Sequence, residues 1–173
     1  MQLITHHIQN LFQSTTVLVV DDEFYARKVI RTLLTGIGIG NIYSAENGTS
    51  GLKAICTVVP DVVFVDWEMP GLDGAAFVKA VRSPGEFPLP NVPIVMLTGH
   101  GERWRVVEAM RLGVNDYLLK PVSSKMLLDR MIGILTKPRP IVKLGKYYGP
   151  EPRRAAACKP ANGASPDEIV LVN

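Results

Sequence analysis

Four short apolar runs each end in a polar residue of the kind that handles phosphate. Asp21-Asp22-Glu23 follows Val17–Val20, and Asp66 follows Val62–Val65. Thr98-Gly99 follows Ile94–Leu97, and Lys120-Pro121 follows Tyr117–Leu119. Taken singly, each has an ordinary explanation: an Asp pair or a Thr often caps a helix, an Asp can close a turn, and a Lys can stand solvated at a strand end. Taken together they make a chemical set. Three carboxylates in one pocket repel one another and call for a divalent cation, and oxygen ligands favour Mg2+. A phosphoryl group in the same pocket needs counter-charge and donors, which Lys120 and the Thr98 hydroxyl can supply.

The set works only if the fold brings these positions together. The four runs are continuously apolar rather than alternating, which marks strands buried on both faces. Ile42–Ala45 is weaker and reads as an edge strand. Between the runs the apolar residues take helical spacing, as in Val29, Ile30, Leu33 and Leu34, with Gly36-Ile37-Gly38 and Glu46-Asn47-Gly48 as punctuation. A last helix is predicted over Ser123–Leu135, capped by Ser123 or Ser124. Ser83–Pro93, rich in Pro and Gly, reads as a surface loop. Five strand–helix pairs in strict alternation predict an α/β fold: a doubly wound, five-stranded parallel sheet with helices on both faces. One common order for such a sheet is 2-1-3-4-5, with ligands bound beyond the carboxyl ends of the strands. Asp21, Asp66, Thr98 and Lys120 would then meet on one edge.

The ends differ from this domain. Residues 1–14 read as an amphipathic helical extension, with Met1, Leu3, Ile4, Ile8, Leu11 and Phe12 on one face. Residues 15–136 carry the strand–helix alternation. Residues 137–173 form a basic, Pro-rich tail, expected to be largely irregular and too short for an output domain of its own. The tail holds seven Lys/Arg against three Asp/Glu, so it accounts for the net charge of +3 and leaves the rest near neutrality. No apolar run approaches the roughly 18 residues needed to span a bilayer, and no secretory leader is visible. Cys56 and Cys158 are too few and too far apart for a disulfide framework. A cytoplasmic setting without membrane insertion is expected.

Residues 15–136 closely resemble the receiver domains of bacterial two-component systems, including stand-alone chemotaxis-type regulators. The likeness rests on VLVVDDE, VVFVDWEMPGLDG, PIVMLTG and NDYLLKP. It implies the flavodoxin-like receiver fold and a single-domain response regulator rather than an enzyme. By this resemblance Asp66 takes a phosphoryl group from the phosphohistidine of a sensor histidine kinase or histidine phosphotransfer protein. Asp21 and Asp22 help hold Mg2+, completed by the Asp66 carboxylate and the Glu68 backbone carbonyl. Lys120 pairs with the phosphate, Thr98 moves toward it, and Tyr117 changes packing as the readout for a downstream protein. Gly99 supplies the small residue that the pattern has after the Thr. Glu68 and His100, two positions beyond Asp66 and Thr98, flank the water path and are expected to tune dephosphorylation.

Other readings fit less well. A phosphohydrolase using aspartyl phosphate usually has a second Asp two residues after the nucleophile, where Glu68 stands here. A transcription factor would need a helix-turn-helix-sized segment after residue 136, so no nucleic-acid role is expected despite Arg153-Arg154 and Tyr147-Tyr148. His6 and His7 read as surface histidines, and Trp104 as half-buried packing or a partner-docking aromatic. The apolar stripe on residues 1–12 needs a covering surface, either a second copy in a homodimer or its own domain; the homodimer is the expectation.

Overall fold

The apolar runs become one parallel sheet in a computed structural model, which describes residues 2–99 and 101–153. Its strands are β1 (Thr16–Val20), β2 (Asn41–Ala45), β3 (Val62–Asp66), β4 (Ile94–Thr98) and β5 (Asp116–Leu119), in the order β2-β1-β3-β4-β5. Around them lie α1 (Gln2–Ser14), α2 (Phe24–Gly36), α3 (Gly48–Val58), α4 (Gly74–Val81), α5 (Arg103–Leu112) and α6 (Ser124–Thr136). The expected doubly wound sheet and its order are therefore present. Each strand begins or ends one residue beyond the apolar run, so Asp66 and Thr98 are the last residues of their strands.

Strand side chains alternate between faces, so each continuous run feeds two cores. Leu18, Val20, Val63, Val65, Ile94 and Met96 face one way and meet Ile55, Phe77, Val78, Val81 and Ala109 of α3, α4 and α5. Val17, Val19, Val62, Phe64, Val95 and Leu97 face the other way and meet Ile30 and Leu34 of α2 with Leu127 and Met131 of α6. β2 is mostly exposed, as an edge strand should be. Local capping fixes where the helices start. Asn47 and Ser50 form a reciprocal capping box on α3, Asp73 accepts from Ala76 N at 2.8 Å on α4, and Ser123 accepts from Met126 N on α6.

The covering surface for the α1 stripe is, in part, the protein's own core. Phe12 is 1% exposed and packs with Val17, Ile30 and Leu34, with Ile8 behind it. Gly40 N and Thr15 N both donate to Phe12 O, which pins the end of α1 beside the α2–β2 turn. Leu11 is half-buried, and the side chains of Met1, Leu3 and Ile4 lie outside the described residues. The face on which a homodimer was expected is thus shared with the domain itself. Phe12→Ala is expected to cost about 3–5 kcal/mol in urea unfolding, as for other buried Phe truncations. A loss below about 1 kcal/mol would show that α1 is only loosely docked.

Residues 141–150 depart from the irregular tail expected for 137–173. They form an antiparallel hairpin of β6 (Ile141–Leu144) and β7 (Tyr147–Pro150), turning at Gly145, whose φ is +58°. The prolines do not prevent this, because Pro150 closes the last rung, where no further strand needs its missing N–H. What holds the hairpin is tertiary. Gly149 lies so close to Gly113 that a Cβ there would come within 2.6 Å of the Gly113 Cα. Tyr148 Oη meets Asn91 Oδ1 at 2.6 Å, Glu151 N donates to Pro140 O, and Arg139 donates to Asn115 O. Arg153 pairs with the buried Asp116 at 2.7 Å, so Tyr148 and Arg153 serve internal contacts. Arg154 and Cys158 lie outside the described residues.

Arg82 knits this end of the sheet together. It is 6% exposed, and its guanidinium donates to Gly113 O, Pro90 O, Val92 O and Asn115 Oδ1. Burial lowers its pKa to about 10, opposed by Tyr147 and Tyr148, so it stays charged at neutral pH. The Ser83–Pro93 segment is accordingly no simple surface loop: Phe87 and Leu89 pack on the core and Val92 is buried. Arg82→Met keeps the stem and removes the donors, leaving several acceptors without partners. It is expected to destabilise the fold by about 3 kcal/mol or more in urea unfolding. A change within about 0.5 kcal/mol would mean that water replaces those bonds at no cost.

Candidate functional site

The sheet register brings the polar strand ends to one edge. Val20 is beside Val65, Asp66 beside Leu97, and Thr98 beside Leu119. Asp21 follows β1 by one residue, and Lys120 follows β5 by one residue. Residues 99 positions apart in sequence therefore touch: Lys120 Nζ donates to Asp21 Oδ2 at 2.8 Å and to Asp66 Oδ1 at 2.7 Å. One carboxylate oxygen each from Asp21, Asp22 and Asp66 lies within 4.8 Å of the others. Asp21 is fully buried, Asp66 is 6% exposed and Asp22 is exposed, so the cluster opens to solvent on one side.

The ordinary explanations of these residues do not hold here. Asp21 Oδ1 accepts from Glu23 N at 2.9 Å, within the loop, and the α2 cap position belongs to Glu23. Asp73, not Asp66, caps α4, and Glu102, not Thr98, occupies the cap position of α5. Thr98 is 3% exposed, with Lys120 N donating to its carbonyl at 2.7 Å. Tyr117 is half-buried against the α3–α4–α5 side of the core. His100 lies outside the described residues.

Electrostatics follow from this packing. Burial pushes the Asp66 carboxyl above its usual range; Lys120 opposes this, and Asp21 and Asp22 add to it. For Lys120, burial acts to lower the pKa but is outweighed by Asp21 and Asp66, so the ammonium is held more firmly than usual. Among the described residues, three carboxylates stand against one bonded ammonium, an excess of negative charge. A divalent cation fits that excess and the all-oxygen donor set.

Three supporting residues were not singled out from sequence. Arg27 donates to Asp21 O at 2.6 Å and to Asp22 O at 3.0 Å, fixing the acidic loop from α2. Gly74 donates to Trp67 O, and a Cβ there would come within 2.4 Å of Asp66 O, so any side chain would displace the backbone of Asp66. Arg105 pairs with Glu68 at 2.9 Å. Only the glycine had a sequence signal, the Asp73-Gly74 helix start; a lone arginine on a helix looks like any solvated charge.

Comparison with known proteins agrees with the geometry. Residues 17–132 match the model of the response regulator receiver domain. The chain belongs to the response regulator receiver family. This receiver domain is 33% identical over 115 residues to the chemotaxis protein CheY of Pseudomonas aeruginosa, covering 66% of this chain and 91% of that protein. It is 33% identical over 119 residues to the chemotaxis protein CheY1 of Helicobacter pylori, covering 68% and 94%. Among solved structures it is similar to chemotaxis protein CheY4 of Vibrio cholerae, with a TM-score of 0.63, 30% identity and coverage of 70% and 98%. A response regulator receiver domain protein from Clostridium thermocellum gives 0.64 and 29%, covering 71% and 95%. The family match, over residues 17–132, leaves α1 and the β6–β7 hairpin outside it. No helix among the described residues is long and apolar enough to cross a membrane.

Proposed function

We propose that this receiver domain is a phosphorylation switch in a two-component or phosphorelay pathway, with Asp66 as the acceptor. The observation that carries the reading is the junction of Asp21, Asp22 and Asp66 with Lys120 bonded to two of them. The donor is a phosphohistidine on a sensor histidine kinase or histidine phosphotransfer protein. An Asp66 carboxylate oxygen bonds to phosphorus as the phosphorus–nitrogen bond breaks, and the imidazole leaves with that electron pair. Lys120 Nζ, already at Asp66, stays paired with the phosphoryl oxygens, and Asp21 holds Lys120 in place. Mg2+ bound by Asp21, Asp22, Asp66 and the Glu68 backbone carbonyl would neutralise charge on the phosphoryl group. The Thr98 hydroxyl donates to the new phosphate, and Tyr117, on the strand beside β4, repacks with it.

In this reading the chain turns over no separate substrate; its chemistry is confined to its own phosphorylation and dephosphorylation. A phosphohydrolase is disfavoured because Glu68 is drawn away to Arg105 on α5. The output is recognition by a downstream protein, with exposed Trp104 and Leu119 on the α5–β5 side as contacts for it or for a second copy. Trp67 adjoins Asp66 and reports on the pocket. In a Trp104→Phe background, Mg2+ followed by beryllofluoride is expected to change Trp67 fluorescence saturably, and EDTA should reverse it. No response at saturating Mg2+ and beryllofluoride would count against a metal-dependent acceptor.

A further inference from the structure

Arg105 joins α5 to the loop that follows Asp66. It lies on α5, after the loop that follows Thr98, and its Nη1 meets Glu68 Oε1 at 2.9 Å, two residues beyond Asp66. The guanidinium carbon is 5.7 Å from the Trp67 ring centre and 5.1 Å from that of Trp104. Its Nε is 3.6 Å from Glu102 Oε2. Exposed ion pairs are usually loose and worth little. This one is unusual in that the Arg105 side chain is only 18% exposed while Glu68 is 56% exposed. The two indole faces and the neighbouring carboxylate fix the guanidinium, and the guanidinium in turn fixes Glu68. Beside them is an open hollow lined by Trp67, Glu68, Met69, Pro70, Asp73 and Arg105, next to the loop that follows Asp66.

We propose that Arg105 is a positioning residue that sets the lifetime of the phosphoryl group on Asp66 by holding the Glu68 carboxylate against α5. The inference rests on Asp66 being the acceptor and adds a residue outside the receiver motifs to its control. Hydrolysis requires a water oxygen to bond to phosphorus as the bond from phosphorus to Asp66 Oδ breaks. Asp66 then leaves as a carboxylate, and inorganic phosphate and a proton are released. A carboxylate two residues from Asp66 accepts the hydrogen bond of that water and takes its proton when it is free to turn toward the pocket. Bound to Arg105, it is turned away and its charge is offset. Arg105 thus lengthens the phosphorylated state, and any movement of α5 that draws Arg105 off Glu68 shortens it.

The test follows decay of the label after phosphorylation of the full chain with radiolabelled acetyl phosphate and Mg2+, then removal of the donor. Arg105→Gln is expected to shorten the half-life by about threefold or more, and Arg105→Lys, which keeps the charge, by less. In a Glu68→Gln background, Arg105→Gln should change the half-life by less than about 1.5-fold, because the coupling runs through that carboxylate. An unchanged or longer half-life in Arg105→Gln overturns the proposal. An equal shortening in both backgrounds also does so, since Arg105 would then act on the fold in general. If wild type takes up no label, the acceptor reading fails and this inference falls with it. Normal labelling with unaltered decay defeats the role of Arg105 alone.

Discussion

Lys120→Ala is expected to lose most phosphorylation and about 3–5 kcal/mol of stability, because it strips a bonded cation from a buried carboxylate. Asp21 is fully buried and Asp66 nearly so, and Lys120 Nζ stands 2.8 and 2.7 Å from them. With alanine there, the Asp21 carboxylate keeps its bond from Glu23 N but faces Asp66 and Asp22 with no ammonium between them. The pH dependence has a definite sign. The folded-state pKa of Lys120 is raised, so its contribution is fully present below the unfolded-state value and fades as pH rises through the folded one. The variant should therefore lie below wild type across the neutral range in metal-free urea unfolding, with the gap closing at strongly alkaline pH as Lys120 loses its proton. On the proposed reading that the acidic cluster holds Mg2+, the metal should narrow the gap, because the variant's cluster has lost the ammonium that competes with it. A loss under about 1 kcal/mol without metal would mean that Asp21 relaxes toward water and that the bond is weak.

How much of this was legible in the sequence depends on the range of the forces involved. The five strands could be read because strands buried on both faces must be continuously apolar, and Val17–Val20 and Ile94–Leu97 leave no other use for such runs. Their polar successors then pointed to one edge, since parallel strands end together. The meeting of Asp21, Asp22, Asp66 and Lys120, with Thr98 at the end of β4, was therefore legible as geometry, because the register brings those strand ends together. Arg27, Arg82 and Arg105 were not visible, because a single arginine on a helix or at its end carries no period and its partners are backbone carbonyls or distant side chains. The β6–β7 hairpin was hidden by Pro138, Pro140 and Pro150 and is held by contacts with Gly113, Asn91 and Asp116 that lie far off in sequence. For α1, the apolar face was legible but the surface it covers was not, because amphipathic spacing says that a partner exists and not which one.

The proposed acceptor offers the sharpest comparison, between wild type and Asp66→Asn. Burial, together with Asp21 and Asp22, raises the Asp66 pKa in the folded protein despite Lys120. A raised carboxyl disfavours the folded state at neutral pH, a cost that disappears as pH falls through the folded-state value toward the unfolded one. Asparagine removes that cost while keeping the shape, so metal-free Asp66→Asn should melt no lower than wild type. The measurement is label uptake from radiolabelled acetyl phosphate with Mg2+, scored for alkali lability, alongside thermal melts of both proteins. Wild type should take up about one label per chain, sensitive to alkali and abolished by EDTA, and Asp66→Asn none while remaining folded. Undiminished labelling of folded Asp66→Asn, or a wild type that never takes up label, would contradict the assignment of Asp66 as the acceptor.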